Sequence, residues 1–423
     1  MLATLANAWK IPELRKRILY TLMMFVVFRL GSSIPVPGIN NALLDQLFQN
    51  DAGFLSFFNL MSGGSFKRFT IFALGIAPYI TASIIMNLLQ IALPYFENLA
   101  KEGDAGRKKM VQYTRYGTVV LSLIQATGIT LGLFRPAFTD FNVVTASVAV
   151  IVLTAGTAFL MYLGEKITEN GIGNGISLFI FAGILAGVPV ATGTMLQQMK
   201  DGTLNVVSVV IFCVLAVLII AGVVFMQQGQ RKIPVQYAKR QVGRKMYGGH
   251  STHIPLKVNM AGVIPVIFAI SLLMFPQTIA QFWPQSGFYA WLTKWFNNDD
   301  ILWNVLYALL IIGFTYFYTS VTFNPAEVAE NMKKNGGFIP GIRPGKPTSD
   351  YLIKVLNRLT LAGAVFLALV AVLPNVILAI PAFSGMQMQF GGTSLLIAVG
   401  VSMDTMKQIE AQMVMRHYQG FLK

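Results

Sequence analysis

The chain has 423 residues, of which 55% are apolar and only 12% are charged, and its formal net charge at pH 7 is +15. A soluble domain usually has about twice that charged fraction, so the composition argues against a soluble protein and indicates several membrane spans. The single cysteine, Cys213, excludes an intrachain disulfide.

The N-terminal segment places the basic stretch "ELRKR" before the apolar run "ILYTLMMFVVF". Cleaved signal peptides and first membrane spans both have this order. Because no A-x-A-type cleavage site follows and "GSSIPVPG" ends the helix instead, we expect a retained first span near 18–34.

The next apolar stretch, "FLSFFNLMSGGSF" at 54–66, is uncharged. A helix of this length reaches only about 20 Å and two glycines break it, whereas the bilayer core is roughly 30 Å thick. The stretch is therefore too short to cross a membrane and too apolar for water, and its own residues leave its role open.

Ten apolar segments of membrane length predict ten transmembrane helices. They lie near 18–34, 71–93, 115–135, 143–163, 175–192, 206–226, 259–280, 302–322, 353–373 and 393–413. An even count puts both termini on one side, and the positive-inside rule makes that side cytoplasmic. The outer segments then keep few basic residues, namely Lys67, Arg68, Arg135, Lys200 and Lys294. Arg29 can snorkel from the outer end of the first span.

The polar segment 193–205 divides the ten spans into five and five. We therefore predict an N-terminal half at 1–192, an external hinge at 193–205 and a C-terminal half at 206–423. An odd number of spans in each half means that any structural repeat is inverted.

Two cytoplasmic loops, 227–258 and 323–352, are unusually long, and the first is strongly basic. Their charges either only enforce topology or also dock an acidic or polyanionic partner. Their length favours docking, because topology needs only a few charges.

The span interiors hold almost no ionisable groups, apart from Asp404 and Lys407 toward the cytoplasmic end of the last span. Ion-coupled transport is therefore poorly supported. Uncharged polar residues in the second and third spans either bond neighbouring helices or line a seam that can part. "GIRPGKPT" lacks the spacing of a phosphate loop and "HSTH" has no nearby acids, so we predict no catalytic site, metal or cofactor.

Two pairs of isoleucines stand four residues apart near the middle of their spans: Ile76 with Ile80, and Ile180 with Ile184. Each pair lies on one helical face. Such spacing is common in lipid-facing or packing helices, but a collar of these side chains would also form a dewetting gate.

Several long stretches carry a family resemblance. They are "FNLMSGGSFKRFTIFALGIAPYITASIIMNLLQ", "KEGDAGRKKMVQYTRYGT", "EKITENGIGNGISLFIFAGI", "KVNMAGVIPVIFA", "FNPAEVAENMKKNGGFIPGIRPG" and "FGGTSLLI". Over essentially its whole length the chain resembles the SecY family, the large subunit of the Sec translocon, in its bacterial form.

The resemblance implies an all-α membrane protein of ten transmembrane helices, in two pseudo-symmetric inverted halves of five, with a short re-entrant plug helix near 54–68. An interfacial helix on the outer leaflet is the alternative for that segment. The implied pore ring is Ile76, Ile80, Ile180, Ile184, Ile267 and Ile397. The implied plug residues are Phe57, Phe58, Asn59, Leu60, Met61, Ser62, Gly63 and Gly64. Thr81, Asn87, Gln125 and Phe275 lie on the implied lateral-gate helices, and the implied docking residues are Arg240, Arg244, Arg343, Pro344 and Gly345.

The resemblance also implies a function and partners. It predicts a multi-pass channel of the bacterial plasma membrane that passes secretory preproteins and releases signal sequences and membrane spans into lipid. SecE and SecG would be its small membrane subunits, and the SecA ATPase or the ribosome would drive it, with no sequence-specific nucleic acid bound. A secondary transporter with broken helices and an insertase without a through-pore are the competing hypotheses.

Overall fold

The structure is a computed structural model of the chain. It describes residues 8–40, 43–44, 59, 62–202, 205–237, 240–242, 245–247, 251–280, 286–287, 291–292, 300–378 and 392–420.

Helices make up most of the described chain. They are α1 (Pro12–Gly31), α2 (Ala77–Ala92), α3 (Pro94–Lys101), α4 (Asp104–Gly128), α5 (Val143–Asn170), α6 (Gly175–Lys200), α7 (Val206–Gln228), α8 (Ile264–Ala280), α9 (Ile301–Thr322), α10 (Pro325–Lys334), α11 (Lys346–Leu378) and α12 (Gly392–Gly420). A π-helical turn, Ile129–Leu133, and a 3-10 turn, Arg135–Ala137, follow α4.

Each predicted span overlaps one of these helices. By length and composition, six helical stretches of the described chain can cross a membrane: α4 with its π turn, α5, α6, α7, α9 with α10, and α11. Taken together, α2 and α3 give a seventh, although they meet at a bend of 97°. Helix α8 is apolar but shorter, while α1 and α12 carry charged residues. The mostly helical membrane fold is therefore confirmed.

The second helix begins later than the predicted residue 71. Residues 71–76 form turns, with Gly75 at φ +57°, and α2 starts at Ala77 with Pro78 in its first turn. Proline suits a helix start because its missing amide has no helical partner there. Ile76 is thus the N-cap residue, and its carbonyl accepts the amide of Ile80 at 3.1 Å. The two isoleucines remain one turn apart.

The predicted hinge at 193–205 is largely helical. Helix α6 continues to Lys200, so the connection to α7 is confined to residues 201–205. The sequence "MLQQMK" at 195–200 consists of good helix formers, which explains the extension.

Both long loops contain β-strands, which the all-α prediction missed. The strands are β1 (Gln230–Tyr237), β2 (Arg240–Val242), β3 (Lys245–Tyr247), β4 (Ser251–Lys257) and β5 (Gly337–Phe338). Strands β4, β1 and β5 form an antiparallel sheet in that order, and β2 pairs with β3. Ile233 and Val235 are buried while their neighbours are exposed, which is the two-residue period of a half-buried strand.

Gly156 in α5 lets this helix lie directly on the chain before α2, because a Cβ at this position would clash with the carbonyl of Ile71. We expect Gly156→Val to destabilise the fold by several kcal/mol, since backbone cannot move aside cheaply. Thermal unfolding of the purified protein in detergent measures the effect. Gly313→Val is the control, because a Cβ there meets nothing within 4 Å; equal melting temperatures for both variants would contradict the proposed close contact.

Candidate functional site

The six predicted ring isoleucines lie in one buried cluster. Their side chains come from α2 and its N-cap, α6, α8 and α12, and none of the residues is more than 5% exposed. The set is Ile76, Ile80, Ile180, Ile184, Ile267 and Ile397. The structure therefore brings together residues that are as many as 321 positions apart in the sequence. The cluster continues into an aromatic group, in which the rings of Phe28 and Phe179 are 5.1 Å apart.

Two cavities lie beside the cluster. The first, here called the Tyr79 cavity, has a volume of about 440 Å³, and its walls come from α2, α4, α5, α6, α8 and α9. Its lining includes three of the ring isoleucines, Ile80, Ile180 and Ile267. The second, here called the Arg29 cavity, has a volume of about 520 Å³ and is lined by α1, Asn59, residues 63–70 and α6.

Helix α6 lines both cavities in succession. Asn174, Ser177 and Ile180 face the Tyr79 cavity, while Gly183 and Gly187 face the Arg29 cavity. The change occurs between residues 180 and 183, about 4.5 Å along a helix axis. The isoleucine cluster, which includes Ile180 and Ile184, lies at this change.

The Tyr79 cavity has a polar wall as well as its isoleucine wall. Arg115 of α4 forms an ion pair with Glu165 of α5 at 2.7 Å, and the Glu165 side chain is only 16% exposed. Ser83 and Asn87 also line the cavity, from α2. The polar wall can hydrogen-bond water, and the branched hydrocarbon side chains of the isoleucines form the opposite wall.

The four predicted gate residues lie on helices that the structure brings together, since α2 and α4 both contact α8. Asn87 lines the Tyr79 cavity, and Thr81 is half-buried with its hydroxyl donating to the Ala77 carbonyl at 3.1 Å. Gln125 is buried, and its Oε1 accepts no hydrogen bond from the described part of the chain. Phe275 is 41% exposed on α8.

The predicted plug is described only in part. Phe57, Phe58, Leu60 and Met61 lie outside the described residues. The described part forms a tight turn that includes Asn59, Ser62, Gly63 and Gly64. In it the Asn59 carbonyl accepts hydrogen bonds from the Gly64 amide at 2.8 Å and from the Ser62 hydroxyl at 3.1 Å. Gly63 and Gly64 have φ of +65° and +87°, a region that favours glycine.

The predicted docking residues lie in the two long loops. Arg244 is outside the described residues, and Arg240 opens β2, opposite Tyr247 of β3. Arg343 and Pro344 are exposed in the connection between β5 and α11, and Gly345 follows with φ +102°. The Thr348 hydroxyl donates to the Arg343 carbonyl at 2.8 Å and fixes the backbone there.

The sheet joins the two loops into one unit, because β5 of the second loop pairs with β1 of the first. A small core lies beneath it, made by Ile233, Val235, Leu256, Met332, Ile339, Leu352 and Val355. We call β1, β4, β5 and α10 with this core the sheet platform. No pairing between the two loops was predicted; the signal for a strand was the alternation of Ile233, Val235 and Tyr237.

Comparison with known proteins identifies the family. The SecY family profile matches residues 70–406. A "Protein translocase subunit SecY" of Halalkalibacterium halodurans is 51% identical, and the alignment covers 100% of both chains. The chain belongs to the SecY family. A second relative with the same name, from Vibrio cholerae, is 47% identical over 98% of this chain and 95% of its own. The predicted family and its bacterial type are confirmed, as is a membrane location.

Solved structures share the fold. One named "The structure of a protein conducting channel" superposes with a TM-score of 0.68 at 20% identity, over 95% of this chain and 93% of its own. Another, named "Sec61 in the Canine ribosome-channel complex from the endoplasmic reticulum", gives a TM-score of 0.63 at 18% identity, over 95% and 93% of the two chains.

Proposed function

We propose that this SecY-family chain conducts unfolded secretory polypeptides across the bacterial plasma membrane through a pore between its two cavities. The observation that carries the proposal is the isoleucine cluster at the point where α6 passes from one cavity to the other. An unfolded chain is polar and charged, so it needs a watery path through lipid. Two cavities separated by one thin apolar layer supply that path with a minimal barrier.

The isoleucines suit a seal that must also let a chain pass. Branched hydrocarbon side chains exclude water and ions when they close on each other. They carry no charge or hydrogen-bonding group that would hold a passing segment. In this proposal a gasket is therefore formed by the six ring isoleucines, Ile76, Ile80, Ile180, Ile184, Ile267 and Ile397. The plug near 54–68 covers them from the side of the Arg29 cavity.

The contact of α2 and α4 with α8 supports sideways release. The free energy of an apolar signal sequence or membrane span falls when it enters lipid. The seam between these helices is its exit in this proposal. Thr81, Asn87, Gln125 and Phe275 are the polar and aromatic residues of this proposed lateral gate. The buried Gln125 Oε1, which accepts no hydrogen bond from the described chain, favours a seam that is rearranged during opening.

The proposed architecture has ten spans in two inverted halves, with both termini in the cytoplasm. The residues of 1–192 and 206–423 form the halves, and residues 193–205 are the hinge between them, made by the end of α6 and the short connection that follows it. The sheet platform then lies on the cytoplasmic side. This orientation places the whole formal net charge of +15 on the cytoplasmic side.

An external engine is required, because the sequence offers no nucleotide-binding motif for pushing a chain. We assign docking of the SecA ATPase or the ribosome to the sheet platform, with Arg240, Arg244, Arg343, Pro344 and Gly345 as contacts. A ribosome-bound neighbour of the same fold supports the ribosome as one partner. SecE and SecG complete the complex as small membrane subunits.

Site-specific photocrosslinking tests the pore. With a photoreactive residue at position 184 or 267 and a secretory precursor stalled in transit, adducts between channel and precursor are expected. Position 214 is the control, because Val214 is 55% exposed on the outside of α7, where little of the helix is buried. Equal adduct yields at 214 and 267, or none at 184 and 267, would overturn the proposed pore.

A further inference from the structure

Arg29 is an arginine near the end of an apolar helix. It follows "MMFVVF" in α1 and lines the Arg29 cavity. Its Nη1 donates a hydrogen bond to the Gly63 carbonyl at 3.1 Å, 34 residues further along the chain. A cation at this depth is costly in lipid, so the side chain lies where water and a carbonyl can both reach it.

Several hydrogen bonds hold together the turn that accepts the Arg29 hydrogen bond. Besides the two bonds to the Asn59 carbonyl, the Ser62 Oγ accepts the Phe66 amide at 3.0 Å, and the Asn59 Oδ1 accepts the Lys67 amide at 2.9 Å. Asn59 is the first described residue of the predicted plug. A force that fixes Gly63 therefore also fixes the position of Asn59.

The same glycine touches the helix that carries two ring isoleucines. A Cβ on Gly63 would lie 3.1 Å from the Gly183 Cα, and Gly183 lies between Ile180 and Ile184. Arg29 thus holds a turn that connects directly to α6 at the ring. No larger residue at position 63 would keep both the φ of +65° and this backbone contact.

The bond is also easy to break. Arg29 is exposed to its cavity, so water can replace the Gly63 carbonyl as the hydrogen-bond acceptor of the guanidinium. Breaking the bond therefore leaves no buried, unsatisfied cation. Two further cations, Lys67 and Arg68, line the same cavity. Mutual repulsion among three cations favours an outward, hydrated position of the arginine once the turn has moved.

We propose that Arg29 is a positioning residue that latches the plug in its closed place by holding the turn at Gly63 against α6. This proposal rests on the assignment of the segment near 54–68 as a plug. In the latched state the hydrogen bond stabilises the sealed channel. When a passing chain displaces the plug, the latch opens into water and can re-form after the chain has left.

Ion leak through the idle channel tests the latch. The translocon complex is reconstituted into vesicles as wild type, as the single variants Arg29→Gln, Arg29→Lys and Arg68→Gln, and as a variant lacking residues 57–65. Salt flux without precursor is then measured. We expect Arg29→Gln to raise the leak severalfold, because the shorter, neutral glutamine amide does not reach the Gly63 carbonyl. Arg29→Lys should raise it less, because lysine keeps the positive charge and a longer reach for its donor. Arg68→Gln is the matched control, since it removes a cation from the same cavity that makes no hydrogen bond to the described part of the chain; its leak should equal that of wild type.

A combined variant separates a latch from general damage. In the background lacking 57–65, Arg29→Gln should add no further leak, because there is no plug left to hold. A leak that rises equally in both backgrounds indicates structural damage and overturns the latch. If the deletion raises the leak but Arg29→Gln alone does not, the latch is wrong and the plug stands. If the deletion itself leaves the leak unchanged, the plug assignment fails and the latch with it.

Discussion

Replacing Ile180 and Ile267 together by asparagine is expected to raise the ion leak of the idle channel by about tenfold or more, because two amides in the collar hold water where hydrocarbon had excluded it. Both residues are buried, at 2% and 5% exposure, and both line the Tyr79 cavity. They come from α6 and α8, so the change affects two separate helices of the proposed ring. Conductance of the reconstituted complex in a planar bilayer, without precursor, measures the effect.

Two controls accompany this experiment. Ile84→Asn introduces the same amide at a residue that is 4% exposed in the same cluster but lines neither described cavity. It should destabilise the protein by about 1–3 kcal/mol without raising the leak. Ile180→Val with Ile267→Val keeps the collar apolar and should also leave the leak low. If Ile84→Asn raised the leak as much as the double asparagine variant does, the leak would reflect lost stability and not the position of the amide. That result would contradict the ring.

The sequence was a good guide to features that repeat with a period. Ten apolar segments predicted helices, and each of them overlaps a helix of the described chain, because a membrane helix needs a long run of apolar residues. The spacing of Ile76 with Ile80, and of Ile180 with Ile184, was visible without any structure. Placing Ile267 and Ile397 beside them required the family resemblance, since no local pattern relates residues on four different helices.

Features that depend on tertiary contact were not predictable in this way. Helix α2 starts later than the hydropathy of the sequence predicted, because Gly75 turns the chain and Pro78 favours a helix start at Ala77. The sheet platform forms because β5, only two residues long, pairs with a strand about 100 residues earlier. The hydrogen bond from Arg29 to Gly63 likewise depends on the packing of α1 beside a turn, and the sequence alone suggested only a snorkelling arginine.

Arg343→Lys is expected to slow preprotein export about tenfold, since one lost arm of a charge-assisted, bidentate contact is worth about 1.4 kcal/mol. The structure holds the backbone of Arg343 in place while leaving its side chain exposed. Gly341 and Gly345 turn the chain on either side with φ of +83° and +102°, and the Thr348 hydroxyl bonds to the Arg343 carbonyl. With its backbone held in place and its guanidinium exposed, Arg343 is able to bind a carboxylate or phosphate of the proposed engine. Lysine keeps the charge but presents no planar pair of donors.

The measurement is the rate at which vesicles containing the complex import a labelled preprotein when SecA and ATP are supplied. Arg231→Lys is the matched control, because Arg231 is also exposed on the sheet platform, on β1, but is not among the proposed contacts. Binding of SecA to the vesicles should weaken in parallel with the Arg343→Lys rate, since the proposed role of the platform is to dock the engine and not to seal the pore. The idle ion leak should therefore stay at the wild-type level. Normal import by Arg343→Lys, or equal slowing by both arginine variants, would show that the guanidinium of Arg343 makes no specific contact with the engine.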